Sequence, residues 1–187
     1  MDNNSDPSNL INIQHINYAK IVYFNCNGVY KQHPQIIEFL QTNNIDIMLL
    51  NETHLKPNKK FKIPNYTVYR NDRLHNRGGG TAIIIKNSMK HTEFQLPNFN
   101  SFETCGCLFY SNNSNPYLII SIYKPPNNIL DITELEYIIN LGYPTIIAGD
   151  LNCKHTFWNS NSNNNNGLNL YNYMLNSTIT IHAPNDP

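Results

Sequence analysis

The stretch IIAGDLNCKH, residues 146–155, decides how the chain is read. It begins as a short apolar run of the kind that forms a covered strand, then ends abruptly in a carboxylate, an amide, a thiol, a lysine and an imidazole. Polar atoms taken from water cost several kcal/mol unless paired. Such a strand end either runs out into a solvated loop or builds a site.

The same pattern recurs upstream. KIVYFNCNGVY (20–30) is a β-rich run that breaks at Asn27-Gly28, and IDIMLLNETHL (45–55) is a continuous apolar run that ends in polar residues. Continuous runs mark strands covered on both faces. YLIISIYKPP (117–126) ends at Tyr123 and is stopped by Pro125-Pro126, since proline cannot donate to a strand ladder. Between these lie two hairpins. YTVYRND (66–72) and TAIIIK (81–86) are joined by RLHNRGGG, and FETCGCLFY (102–110) meets 117–126 across SNNSNP. Helices are expected where apolar residues recur at helical spacing. One is HPQIIEFLQTNN, with Pro34 near its start and Ile36, Ile37, Phe39 and Leu40 on its face. A second is DITELEYIINLG, capped by Asp131 or Thr133, and a third is a short segment from Gly167 to Asn176. STITIHAP is expected to be a final strand. The mixture predicts an α/β fold with two sheets packed face to face and helices outside. Residues 1–18 are expected to be a poorly ordered tail and 19–187 one domain.

Composition narrows the classes. Thirteen Lys and Arg balance thirteen Asp and Glu, so no basic sheath grips nucleic acid by charge alone. No apolar run has the length to span a bilayer, and the acidic N-terminus is unlike a secretory signal. An intracellular, non-secreted protein without a membrane partner is expected. The four cysteines make no C-x-x-C pair, which argues against zinc and against a disulfide framework. Cys105 and Cys107 fall on one face of their strand, as buried thiols in a reducing compartment. Asn is over-used, and NSNSNNNN (159–166) reads as a solvated loop produced by A/T-rich coding.

Taken together, the polar strand ends place Asn25, Asn27, Glu52, Tyr123, Asp150 and Asn152 at the mouth of one sheet pair. A hard cation such as Mg²⁺ takes oxygen ligands, keeps several waters and needs only one or two carboxylates. Glu52 suits that role. Asp150 suits the orientation or deprotonation of an attacking water, and Asn152, on the same strand face as Asp150, and Asn25 suit donation to phosphate oxygens.

Five motifs in order carry a resemblance: F-N-C-N-G, L-N-E-T-H, Y-R-N-D-R with R-G-G-G-T-A-I, S-I-Y-K-P-P-N and A-G-D-L-N-C-K-H. From about residue 20 onward the chain resembles the endonuclease/exonuclease/phosphatase superfamily, and within it the apurinic-type endonuclease domain of jockey-like non-LTR retrotransposons. The resemblance implies a four-layer α/β sandwich that nicks DNA with Mg²⁺ (Mn²⁺ being the alternative), so that the new 3′-hydroxyl primes a reverse transcriptase domain. It implies nuclear DNA as the partner. It puts metal binding on Glu52 and the second motif position on Asn27. Asn25, Tyr123, Asp150 and Asn152 take the catalytic positions. Arg70, Arg73 and Arg77 form a basic cluster that would line the DNA path, with Lys154 and His155 as further substrate contacts. The family's late Ser-Asp-His motif has no counterpart here, and His182 precedes Pro rather than following Ser-Asp. The expectation is therefore a sandwich lacking its last strands, weakly active or inactive in this form. Two other readings remain: a phosphodiesterase of the same fold acting on another phosphate ester, and a non-catalytic remnant.

Overall fold

The structure, a computed structural model, describes residues 11–16, 19–75, 78–111 and 115–183. Its strands are β1 (Ile11–Ile16), β2 (Ala19–Asn25), β3 (Ile47–Asn51), β4 (Tyr66–Asn71), β5 (Thr81–Lys86), β6 (His91–Phe94), β7 (Glu103–Phe109), β8 (Tyr117–Tyr123) and β9 (Thr145–Asp150). The helices are α1 (Val29–Thr42), α2 (Ile132–Ile139) and α3 (Asn165–Leu175). One sheet runs β1-β2-β3-β5-β4 and the other β6-β7-β8-β9.

The two parallel pairs matter most. β2 and β3 are joined through α1, and β8 and β9 through α2. Each crossover leaves two carboxyl ends side by side, which is where open α/β sheets bind ligands. Asn25 is in register with Asn51 in the first pair, and Tyr123 with Asp150 in the second.

Strand alternation sorts the core into layers. Ile21, Tyr23, Ile47 and Leu49 face inward against Cys105, Cys107, Ile119 and Ala148 of the opposite sheet. Val22, Met48 and Leu50 face outward under Ile36 and Leu40 of α1. Leu118, Ile120 and Ile122 lie under Leu135 and Ile138 of α2 and Leu170 of α3. The α/β/β/α layering matches the sequence expectation, and the paired thiols of β7 are free and buried. Among the described residues no helix is long and apolar enough to cross a membrane.

Three elements differ from expectation. Part of the expected tail, Ile11–Ile16, is β1 and pairs antiparallel with β2. Helix α1 begins at Val29, which puts Pro34 inside it. The helix starts early because Gly28 and Val29 donate their backbone N–H groups to the carbonyls of Glu52 and Thr53, at 2.8 and 3.0 Å. First-turn donors that would otherwise lack partners are thereby satisfied. The final strand is absent over 177–183. There Ile181 packs against the outer face of the second sheet. Strand β6, largely polar, was not anticipated.

Two polar bonds tie the sheets together near their carboxyl ends. Fully buried Asn51 donates from Nδ2 to the Ile122 carbonyl at 2.6 Å, and Ser121 Oγ donates to the Leu50 carbonyl at 2.9 Å. Replacing Asn51 by Ala removes a buried donor and leaves a void between the sheets. We expect Asn51→Ala to lower the unfolding free energy by about 1–3 kcal/mol, measured by urea denaturation.

Candidate active site

The four carboxyl ends deliver the polar residues to one end of the sandwich. Asn25 at the end of β2 donates from Nδ2 to Glu52 Oε1 at 2.9 Å. On the other side of that carboxylate, His54 Nε2 lies 3.6 Å from Oε2, too long for a hydrogen bond. Glu52 and His54 both hold left-handed backbones, with φ of 53° and 54°. Non-glycine residues in that region cost on the order of 1–3 kcal/mol and persist only where surroundings over-determine them.

The triple-glycine turn supplies that constraint. Thr53 and His54 donate N–H groups to the carbonyls of Gly80 and Gly79 at 3.2 and 3.0 Å. Gly79 has φ of 64°, and a Cβ there would overlap the Arg73 guanidinium. Only glycine lets this turn wrap over the end of β3 while Arg73 lies beneath it.

Across the cleft, Tyr123 is almost wholly buried, and the Arg73 guanidinium carbon sits 5.8 Å from its ring centroid. Glu103 accepts from Arg73 Nε and, at 2.6 Å, from the Gly80 N–H. Glu103 is also in register with Tyr123. A groove of about 520 Å³, lined in part by Arg73, His75, Phe99, Phe102, Glu103 and Pro125, opens beside this group. At the end of β9, Asp150 Oδ1 accepts from the Asn152 N–H at 2.8 Å, and Asn152 Nδ2 donates to the Lys124 carbonyl at 2.9 Å. Gly149 has no room for a side chain, because a Cβ would run into the Ile122 carbonyl of β8. That close approach keeps Asp150 beside Tyr123.

The electrostatics show that these groups share one field. Burial, then the charges of Asp150 and Glu52, push the Tyr23 phenol far above its ordinary range. Burial, then Glu52, push Tyr123 up to about 12, so it is a neutral hydroxyl donor at physiological pH. Burial raises the Asp150 carboxyl, and the Glu52 charge raises it further, against the Asn152 hydrogen bond and Lys124. A half-buried carboxylate whose charge is disfavoured by burial and by Glu52, with further side-chain oxygens at the same cleft, suits a hard divalent cation. Among the described residues no cluster of three or more His, Cys, Asp or Glu is arranged as a metal cage. One or two carboxylates with water completing the shell is the arrangement that fits.

Asn25, Glu52, Tyr123, Asp150 and Asn152 are therefore gathered at one cleft. Other expected contacts lie elsewhere or do other work. Asn27 is exposed, with φ of 40°, and gives its N–H to Asn25 Oδ1 at 3.3 Å as part of a turn. Arg70 lies on the outer face of its sheet with Tyr66 and Val68, 3.3 Å from Asp72 and donating to the Lys56 and Pro57 carbonyls. It ties a loop to β4 rather than facing a groove. His155 is 8% exposed, stacks on Tyr171 with ring centroids 4.3 Å apart, and accepts at Nδ1 from the Phe157 N–H. Its ring is a packing and capping element. Lys154 is exposed, and Arg77 lies outside the described residues.

Sequence reading missed Tyr23, Asn51, His54, Glu103 and Lys124. Period-two alternation puts Tyr23 and Asn51 on the inward face with Asn25, so a strict face assignment would have found both. Nothing local marks Lys124, whose Nζ is buried and donates to the Pro125 and Asn128 carbonyls at 3.0 and 2.9 Å.

The raised Asp150 carboxyl has a consequence for stability. The folded state holds this proton more tightly than the unfolded state, so its contribution is full below about pH 4 and is lost as pH rises through the folded value. Asp150→Asn carries no such loss. In metal-free buffer we expect the variant's stability to gain on the wild type as pH rises from about 4 to 7, read from urea midpoints at each pH. A constant difference across that range is the contrary result.

Residues 22–186 match the model of the Endonuclease/Exonuclease/phosphatase family. The chain is 31% identical over 172 residues to a probable RNA-directed DNA polymerase from transposon X-element of Drosophila melanogaster, covering 90% of this chain and 19% of that protein. It is 26% identical to the RNA-directed DNA polymerase from mobile element jockey of Drosophila funebris, covering 86% and 18%. It thus spans about a fifth of the length of these relatives. Among solved structures it resembles the endonuclease domain of TRAS1, a telomere-specific non-LTR retrotransposon, with a TM-score of 0.70 at 15% identity over 84% of this chain and 71% of that one. The Xenopus laevis APE2 catalytic domain superposes with a TM-score of 0.55 at 18% identity, covering 83% and 66%. With this match spanning both crossovers and all four strand ends, the chain belongs to the endonuclease/exonuclease/phosphatase family.

Proposed function

We propose that this domain is the endonuclease of a non-LTR retrotransposon. In this reading it nicks target DNA by divalent-ion-assisted phosphodiester hydrolysis, and the new 3′-hydroxyl primes a reverse transcriptase borne by the full-length element. The observation that carries the reading is the convergence of Glu52, Asn25, Tyr123, Asp150 and Asn152 on one cleft, joined to the likeness to transposon polymerases.

Each residue has a part its geometry suits. Glu52 would hold the cation, Mg²⁺ being the ion its oxygen donors fit best, with Mn²⁺ as the alternative. Asn25 keeps that carboxylate turned toward the cleft. The ion, when bound, supplies charge stabilisation on the phosphoryl oxygens. Asp150, its carboxyl raised by burial and the Glu52 charge, is the better base for it and takes the proton of the attacking water, while the departing 3′-oxygen is protonated from solvent water. Tyr123 donates its hydroxyl to a phosphate oxygen. Asn25 and Asn152 each spend one amide hydrogen on the protein and keep the second for the phosphate. Arg73, held by Glu103 over Tyr123, adds positive charge along the groove. Target DNA in the nucleus is the substrate this reading requires.

The test is conversion of supercoiled plasmid to open circles. Nicking should require Mg²⁺ or Mn²⁺, stop with EDTA, and fall by on the order of 10²–10⁴-fold in Glu52→Ala and in Asp150→Ala. Metal-independent nicking, or nicking unchanged in both variants, would overturn the assignment. A preference for short phosphate esters over plasmid would favour a phosphodiesterase of the same fold.

A further inference from the structure

Within the asparagine run 159–166, expected to be solvated loop, Asn163, Asn164 and Asn166 tie together the loops that carry the site. Asn163 Oδ1 accepts from the Thr156 N–H at 2.8 Å. Asn164 Oδ1 accepts from the N–H groups of Gly167 at 2.7 Å, capping α3, and of Lys154 at 3.1 Å. Its Nδ2 donates to the Asn152 carbonyl at 3.0 Å. Asn166 Oδ1 accepts from the Leu130 N–H, and its Nδ2 donates to the Asn128 carbonyl, both at 2.9 Å.

These bonds close a circuit. The Asn128 carbonyl also accepts from the buried Lys124 Nζ, and the Lys124 carbonyl accepts from Asn152 Nδ2. The loop after Tyr123 and the loop after Asp150 are thus joined to one another directly and again through the start of α3. A carboxamide suits this work because it donates and accepts at once. Asp cannot donate, and Ser does not reach two loops. Asn152, with φ of 49°, is a strained position that such surroundings must hold in place.

We propose that Asn164 is a positioning residue for the Asp150–Asn152 turn. Its amide nitrogen fixes the Asn152 carbonyl, and with the N–H of the preceding peptide held by Asp150 this pins both sides of the left-handed residue that presents the Asn152 side chain. The proposal rests on the reading that Asp150 and Asn152 act on the phosphate. Asn164 is then part of the enzyme's geometry, although it lies in a tract that carries no motif of its own.

Asn164→Asp tests this. It keeps both accepted bonds, and so the α3 cap, but cannot donate to the Asn152 carbonyl. We expect kcat for Mg²⁺-dependent nicking to fall about tenfold with KM changed less than about twofold, and a thermal midpoint within about 2 °C of wild type. Asn161→Ala, an exposed residue of the same tract, should match wild type throughout. Wild-type kcat in Asn164→Asp, or a loss of kcat matched by a lower thermal midpoint, overturns the proposal. Amide hydrogen exchange gives a readout independent of catalysis. Protection over residues 150–156 should drop in Asn164→Asp while that of α3 holds, and unchanged protection there overturns the proposal. If the wild type does not nick at all, the endonuclease reading falls, and exchange alone decides whether Asn164 holds the turn.

Discussion

Asn51 reaches across the interior of the sandwich to the Ile122 carbonyl, one residue before Glu52 and one residue before Tyr123. Ser121 answers with a bond to the Leu50 carbonyl. Apolar side chains on two facing sheets specify distance well but sliding poorly, because their attraction is non-directional. Hydrogen bonds between buried groups are directional and costly to break. This pair therefore sets how the two carboxyl ends are aligned. A small slip of one sheet would leave the core filled but carry Glu52 away from Tyr123 and Asp150.

Around that alignment the structure accepts local cost. Glu52, His54 and Asn152 adopt left-handed backbones, and two carboxylates share a cleft with two largely buried phenols. Each of these would be eased by substitution. The compensations are hydrogen bonds to backbone groups from neighbouring loops: the glycine turn onto Thr53 and His54, the start of α1 onto Glu52 and Thr53, and the side chains of the asparagine tract onto residues 152–156. Rigid supports carrying strained side chains are what a pre-organised site needs.

How far the sequence was legible varies by residue. The strand ends of β2, β3, β8 and β9 were readable because a buried run that ends in carboxylates and amides has few cheap explanations. The helix start was misread because Pro34 marks a first turn locally, whereas the donors of residues 28 and 29 find partners in β3. His155 and Arg70 have the chemistry of substrate contacts, but the ring stack on Tyr171 and the bonds of Arg70 to Asp72 and the Lys56 and Pro57 carbonyls use that chemistry internally. The asparagine tract carries no apolar signal at all, so its bonds to loops far away along the chain were invisible.

The order of motifs, the covered strands and their polar ends were determined by the sequence alone, since apolar periodicity and strand ends are local properties. Which polar side chains face the cleft and which are consumed in holding it was decided only by tertiary structure. A hydrogen-bonding group advertises its capacity in the sequence, but its partner is chosen by proximity in space.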